Sequence, residues 1–214
     1  MEVFHTDYLS EREFEQILSV LRAGGVIGFP TDTAYGLGAD PFNEVAVSRI
    51  FHLKGRPETK PILLLVDSIQ MTESLTNPTP LFRTVAQAFW PGPLTIVLPA
   101  RNHVPATVTA GTNTVGVRWP LAPFATRLVK GLGGAVTATS ANASGQPACV
   151  TSDEVRHQLG DSLALMIDGG ILPERGGSTI LDLSTDVPTV LREGPVSFAA
   201  LEGVCGGSLK RVTA

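Results

Sequence analysis

Most familiar catalytic signatures are missing from this sequence. No GxGxxG follows a strand-like run, and GxxxxGKS/T, GxSxG and HExxH are all absent, which removes the usual dinucleotide, P-loop, nucleophile-elbow and zinc-protease readings. Histidine is scarce and scattered at His5, His52, His103 and His157, with no paired spacing that would supply a metal-ligand set. Cysteine is scarcer. Cys149 and Cys205 have no CxxC spacing, so neither a disulfide framework nor a zinc ribbon is expected, and a reducing cytoplasmic setting fits. Long apolar runs are also lacking: the longest aliphatic stretch, Ile62 to Val66, is too short to span a bilayer, and the acidic start "MEVFHTDYLSEREFE" contains no apolar leader segment. No membrane partner is expected. Positive charge is limited, with 16 Lys and Arg against 20 Asp and Glu and a net charge of −4, so any polyanion contact must use a local patch.

What is present suits a buried globular core: 43% of residues are hydrophobic and 17% charged, which excludes a disordered chain. "SEREFEQILSVLRAGG" predicts a helix, with Ser10 as N-cap, Glu13 at the capping-box position and an apolar stripe of Phe14, Ile17, Leu18 and Leu21 ended by glycines. "VIGFP" reads as a buried strand followed by the polar loop "TDTAYGLGADP". Helical spacing returns in "NEVAVSRIFHLK", near 68–75, 80–89 and 122–130, and after the second cap pair Thr151 and Glu154. "ILLLV", "LTIVLPA", "TVGVRWP", "GAVTATSAN", "LALMIDGG", "STILDLS" and "TVLREG" read as strands. Strands outnumber helices and the connections vary, so the expected fold is α+β (mixed α/β), with a twisted mixed sheet flanked by helices. A single domain over 1–202 is expected, with 203–214 as a flexible tail.

Several loops at strand ends concentrate polar groups. In "HLKGRPETKPILLLV", Lys54, Arg56 and Lys60 crowd one turn. Pro57 pushes Arg56 toward extended geometry, whose period of two would project Lys54 and Arg56 to one side. Such cations suit an anion, with Arg as a planar fork and Lys as a point charge; the alternative is a solvated basic turn at a helix C-terminus. "PTDTAYGLG" offers Thr31, Asp32 and Thr33 beside Gly36 and Gly38, or it is an ordinary turn. "TATSANASGQPA" brings Thr137, Thr139, Ser140, Asn142 and Ser144 among small residues, which suits an anion-binding nest or a self-bonded Ser/Asn turn. Arg118, Arg192 and the Ser178-Thr179 pair add isolated cations and hydroxyls. Together these describe a concave site for a triphosphate, where positioning and charge stabilisation carry the chemistry.

Taken in order, "FPTDTAYGLGAD", "KGRPETKP", "FWPGPLTIVL", "VGVRWP", "TSANASGQPA" and "GGSTILDL…LREG" resemble the motifs of the YrdC/TsaC family, the threonylcarbamoyl-AMP synthases. The resemblance covers roughly residues 12 to 197. It implies a YrdC-like fold with a concave, positively charged cavity, and a nucleotidyltransferase that forms threonylcarbamoyl-AMP and pyrophosphate from L-threonine, bicarbonate and ATP for tRNA threonylcarbamoyladenosine modification. It further implies catalytic roles for Lys54 and Arg56, with Arg56 and Lys60 facing ATP phosphates. Thr33, Arg118, Ala138 and Ser178 are the implied threonine-binding residues; Thr114, Ser140, Asn142, Ala148 and Arg192 are implied on the ATP side. Magnesium would accompany ATP, with no protein metal site. The product would pass to a tRNA threonylcarbamoyl transferase complex, with any direct RNA binding weak. Leu65 departs from relatives that carry His at this position, so a His contact to threonine is not expected. The short form, without an extra C-terminal domain, is expected. Two rival readings are a divergent paralogue with carbamoyl-adenylate chemistry and a double-stranded RNA or nucleotide-binding module.

Overall fold

The computed structural model describes residues 1–55, 59–173 and 176–212. Strand β1 (Glu2–His5) leads through a short 3-10 turn to helix α1 (Glu11–Arg22). Ser10 accepts from the Glu13 N–H while the Glu13 carboxylate accepts from the Ser10 N–H at 2.8 Å, closing the capping box the sequence predicts. Phe14, Ile17, Leu18 and Leu21 of α1 are buried, and burying each aliphatic side chain contributes about 1.5–3 kcal/mol before entropy is counted. Strands β2 (Ile27–Pro30) and β3 (Tyr35–Gly38) form an antiparallel hairpin. Helix α2 (Glu44–Lys54) is capped by the Asn43 side chain and stopped by Gly55 at φ 57, the left-handed region that glycine adopts without strain.

The chain continues through β4 (Leu64–Leu65), α3 (Ile69–Leu75), α4 (Leu81–Phe89) and β5 (Leu94–Pro99). Next come α5 (Ala106–Thr109), β6 (Thr114–Arg118), α6 (Pro123–Leu132), β7 (Val136–Thr137) and β8 (Thr139–Ser140). The last third holds α7 (Ser152–Leu159), β9 (Leu165–Asp168), β10 (Thr179–Asp182), β11 (Thr189–Arg192), α8 (Phe198–Cys205) and β12 (Lys210–Arg211).

The strands form two sheets, in the orders β1-β9-β2-β3-β8 and β12-β11-β10-β5-β6-β4-β7. Both mix parallel and antiparallel pairs, so the expected α+β class with mixed pairing is found, distributed over two sheets. The run "GAVTATSAN", expected as one strand, is divided between them: β7 pairs with β4 in the second sheet and β8 with β3 in the first. Ala138 is the junction, its N–H donating to Leu63 O at 2.9 Å. Thr137 joins the two sheets, donating from its hydroxyl to Leu37 O and accepting from the Ala39 N–H.

Three further differences have local causes. Four residues of the expected polar loop after β2 form strand β3, because Tyr35 and Leu37 alternate with glycines whose lack of side chains hides the period of two. Strand β1 is four residues long, with only Phe4 buried, too little pattern to read. Within the expected flexible tail over 203–214, the described residues include regular structure. Residues 203–205 complete α8, whose Leu201 is buried, and Lys210–Arg211 pair with β11, next to buried Leu209.

Candidate functional site

The turn between β2 and β3 is held by one hydroxyl. Thr31 Oγ1 donates to Ala34 O at 2.7 Å and accepts from the Thr33 and Ala34 N–H groups at 3.2 and 3.3 Å. This knot presents Asp32 and Thr33 to Arg118 at the end of β6. Arg118 is 3% exposed, and all three of its nitrogens have partners: Nε donates to Gly92 O at 3.1 Å, Nη1 to Thr33 Oγ1 at 2.9 Å, and Nη2 to Asp32 Oδ1. Burial pushes the guanidinium below its ordinary pKa; the Asp32 carboxylate opposes that shift and the Arg192 guanidinium adds to it. Two cations therefore repel each other across one cavity, which an anion between them would relieve.

That cavity has a volume of about 270 Å³ and sits where the two sheets meet. The first sheet contributes Thr31, Thr33, Tyr35 and Gly36 from the hairpin, and Thr139 and Ser140 from β8. From the second come Leu65, Thr95, Arg118, Ser178, Ile180 and Arg192. Ala138, the junction residue, and Ala148 close it. Ser178 Oγ lies 2.7 Å from Thr95 Oγ1, and Arg192 donates from Nη2 and Nε to Ser178 O at 2.7 and 3.1 Å. Burial lowers the Arg192 pKa, and among the described residues no carboxylate lies within ion-pair distance of it. A side chain at position 177 would crowd this guanidinium, since a Cβ there would stand 2.9 Å from Arg192 Nη2 at a φ of +87; glycine satisfies both demands.

Of the residues singled out from sequence, Thr33, Arg118, Ala138, Ser140, Ala148, Ser178 and Arg192 line this one cavity. Lys54 does not. Its ammonium donates to the carbonyl oxygens of Ser140 and Asn142, the latter at 2.7 Å, and its own carbonyl accepts from the Ser144 N–H. It therefore lies behind the Ser140 wall and fixes the loop that forms it. Lys54 also belongs to the last turn of α2, so the extended period expected to align it with Arg56 does not apply at this residue. Arg56 lies outside the described residues. Lys60 is exposed, one residue before the lining residue Pro61. Thr114 stands at the far end of β6 from Arg118, bonded to Thr112, outside this lining. Asn142 is buried, donating from Nδ2 to Ala143 O and Gln146 O while Oδ1 meets no donor among the described residues. Sequence reasoning missed Thr95; its signal is a lone hydroxyl in the apolar strand "LTIVLP".

Two guanidiniums beside several hydroxyls are groups suited to holding and orienting a small anion. The cavity's volume lies just below the roughly 300–1,000 Å³ of typical small-molecule sites, enough for an amino acid, whereas a nucleotide must extend past the rim. Among the described residues no three His, Cys, Asp or Glu side chains cluster to hold a metal ion, and no helix is long and apolar enough to cross a membrane.

Comparison with known proteins places the chain in a family. The family model Sua5/YciO/YrdC, described as telomere recombination, matches residues 19–194. The chain is 38% identical to the Bacillus subtilis threonylcarbamoyl-AMP synthase over 94% of its own length, and spans 59% of that protein. It is 39% identical to the Vibrio cholerae threonylcarbamoyl-AMP synthase over 84% of its length, spanning 96% of that protein. The structure is similar to that of P. abyssi Sua5 complexed with L-threonine, with a TM-score of 0.93 at 34% identity, over 98% of this chain and 62% of that one.

Proposed function

The chain belongs to the Sua5/YciO/YrdC family, and from that premise we propose that it is a threonylcarbamoyl-AMP synthase, a nucleotidyltransferase that joins L-threonine, bicarbonate and ATP with release of pyrophosphate. The observation that carries this reading is the amino-acid-sized cavity in which buried Arg118, held by Thr33, faces Arg192 and Ser178. The threonine complex of the similar P. abyssi protein supports it.

Arg118 takes the threonine carboxylate through the two terminal N–H groups its protein partners leave over. Thr33, Ser178 and the backbone at Ala138 orient the amino acid, with Leu65 and Ala138 as its apolar wall. The threonine amine, after losing a proton, bonds to the carbon of bicarbonate; water leaves and a carbamate forms. A carbamate oxygen then attacks the α-phosphorus of ATP, and the bond to the bridging oxygen breaks with its electron pair on pyrophosphate. Arg192 offsets charge on that side, and Ser140, Asn142 and Ala148 line the nucleotide's path. Lys60 and Thr114 are proposed at the outer reach of the triphosphate, beyond the enclosed volume, and Arg56, outside the described residues, is kept as a proposed phosphate partner from its sequence motif alone. No tuned general base is invoked: juxtaposing carboxylate, carbamate and triphosphate supplies the rate.

Magnesium arrives in this scheme with ATP, liganded by phosphate oxygens and water, as part of the substrate. The product, a labile mixed anhydride, passes to a tRNA-modifying transferase, which places the protein in the cytoplasm. The test is pyrophosphate release from ATP by the purified protein, with threonine and bicarbonate omitted in turn. Release that needs both is expected. Release indifferent to threonine, or none, contradicts the proposal and turns attention to carbamoyl phosphate or RNA as ligands.

A further inference from the structure

Resting on that reading of the cavity as the threonine site, the geometry points to Asp32 as a positioning residue: it aims the Arg118 fork that receives the substrate carboxylate, without touching substrate itself. Asp32 lies outside the cavity lining, yet its Oδ1 accepts from Arg118 Nη2. Little of the pair reaches water, with side-chain exposures of 3% for Arg118 and 9% for Asp32. The second oxygen, Oδ2, is buried and meets no donor among the described residues, so the carboxylate directs its charge to one partner. Gly92 O takes Nε and Thr33 Oγ1 takes Nη1. Three acceptors on three nitrogens fix both the plane and the rotation of the guanidinium. One N–H on each terminal nitrogen remains, the pattern a bidentate carboxylate needs.

The position of Asp32 follows from its loop. The Thr31 hydroxyl knots the hairpin turn, so residue 32 has little freedom to follow Arg118 if Arg118 moves; the carboxylate acts as a fixed stop. On its other side Asp32 borders a second cavity of about 490 Å³, shared with Pro30, Phe124 and Leu172. This leaves room for one added methylene at position 32.

Two accounts of Asp32 predict opposite signs. If it merely dilutes positive charge, Asp32→Asn adds a net positive charge beside the anion site and threonine should bind more tightly. If it positions Arg118, the same change frees the guanidinium to swing and threonine should bind more weakly.

The experiment measures threonine and ATP saturation for the wild type, Asp32→Asn and Asp32→Glu, with the side-chain Nε–H signal of Arg118 followed by nitrogen-15 NMR and assigned by its loss in Arg118→Lys. The expected result for Asp32→Asn is a threonine KM raised about tenfold or more, an ATP KM changed less than about twofold, and an Arg118 signal broadened or lost. Asp32→Glu, which keeps the charge and has room, should return to within about threefold of wild type. An unchanged or lowered threonine KM with an unmoved Arg118 signal overturns the proposal. The NMR readout needs no turnover: if the wild type shows no threonine-dependent activity the functional reading fails, while the Arg118 signal still decides whether Asp32 holds the fork. Should Asp32→Asn not fold, Asp32→Glu decides: a sharp Arg118 signal and near-normal KM support positioning, and a broadened signal with unchanged KM contradicts it.

Discussion

Among single residues, Arg118 matters as a fork and not simply as a charge. Arg118→Lys keeps the cation but loses the planar arrangement that Gly92, Thr33 and Asp32 hold. A charge-assisted hydrogen bond contributes about 1.5–3 kcal/mol, so kcat/KM for threonine should fall roughly 10- to 150-fold while ATP binding by calorimetry stays close to wild type. Equal losses for both substrates would argue against Arg118 as the carboxylate partner. Much of the cavity was legible at this scale, because cations and hydroxyls at strand ends in an otherwise apolar chain have few other reasons to be there: Thr33, Ser140, Ser178 and Arg192 were all found this way. The direction taken by Lys54 was not legible, for a physical reason. Its place in a basic turn says nothing of direction, and Gly55 ends α2 so that the ammonium meets backbone carbonyls behind the wall. Thr95 escaped because a single threonine in a strand reads as β propensity, and only the approach of Ser178 from β10 gives its hydroxyl a partner.

At the element scale, β1, β3 and β9 are tied together at one end by Asp168. Tyr35 Oη lies 3.1 Å from Asp168 Oδ1 and 2.8 Å from Gly170 O, the Gly170 N–H donates to Asp168 Oδ1 at 2.8 Å, and His5 Nδ1 stands 3.7 Å from Oδ2. Burial alone would raise the Asp168 pKa, but the Gly170 N–H, Ser152, Tyr35 and His5 outweigh it and hold the carboxyl below its ordinary value. A lowered carboxyl contributes stability above its unfolded pKa and loses it as pH falls through the folded value. Asp168→Asn should therefore cost about 1–2 kcal/mol near pH 7, and the gap in urea midpoints between variant and wild type should close below about pH 4. A gap independent of pH would remove the charge from the explanation. Helices with caps and stripes, α1 above all, were legible as elements. Short strands were not: β1 buries one residue in four, and the glycines of β3 erase its alternation.

At the scale of the whole molecule, the cavity exists because two sheets converge on Ala138, which no local pattern in "GAVTATSAN" announces. The division depends on Thr137, whose hydroxyl bonds to Leu37 O and the Ala39 N–H across the seam. Thr137→Val keeps the shape and removes both bonds, leaving a buried carbonyl and a buried N–H without this partner. A loss of about 1–3 kcal/mol is expected, accompanied by a higher threonine KM, because the cavity walls belong to different sheets. Lost stability with an unchanged KM would mean that the seam carries stability alone. The α+β class was legible from the mixture of elements, whereas the number of sheets is a long-range property that periodicity does not encode. Whether threonine, bicarbonate and ATP react in this one seam is decided by mass spectrometry of the nucleotide formed when all three are supplied, with the bicarbonate isotopically labelled. An adenylate carrying one threonine and the bicarbonate carbon is expected, formed about 10- to 150-fold more slowly when Arg118 is replaced by Lys and threonine is limiting. Free AMP or ADP as the sole products, or an adenylate without the labelled carbon, would contradict the proposed reaction.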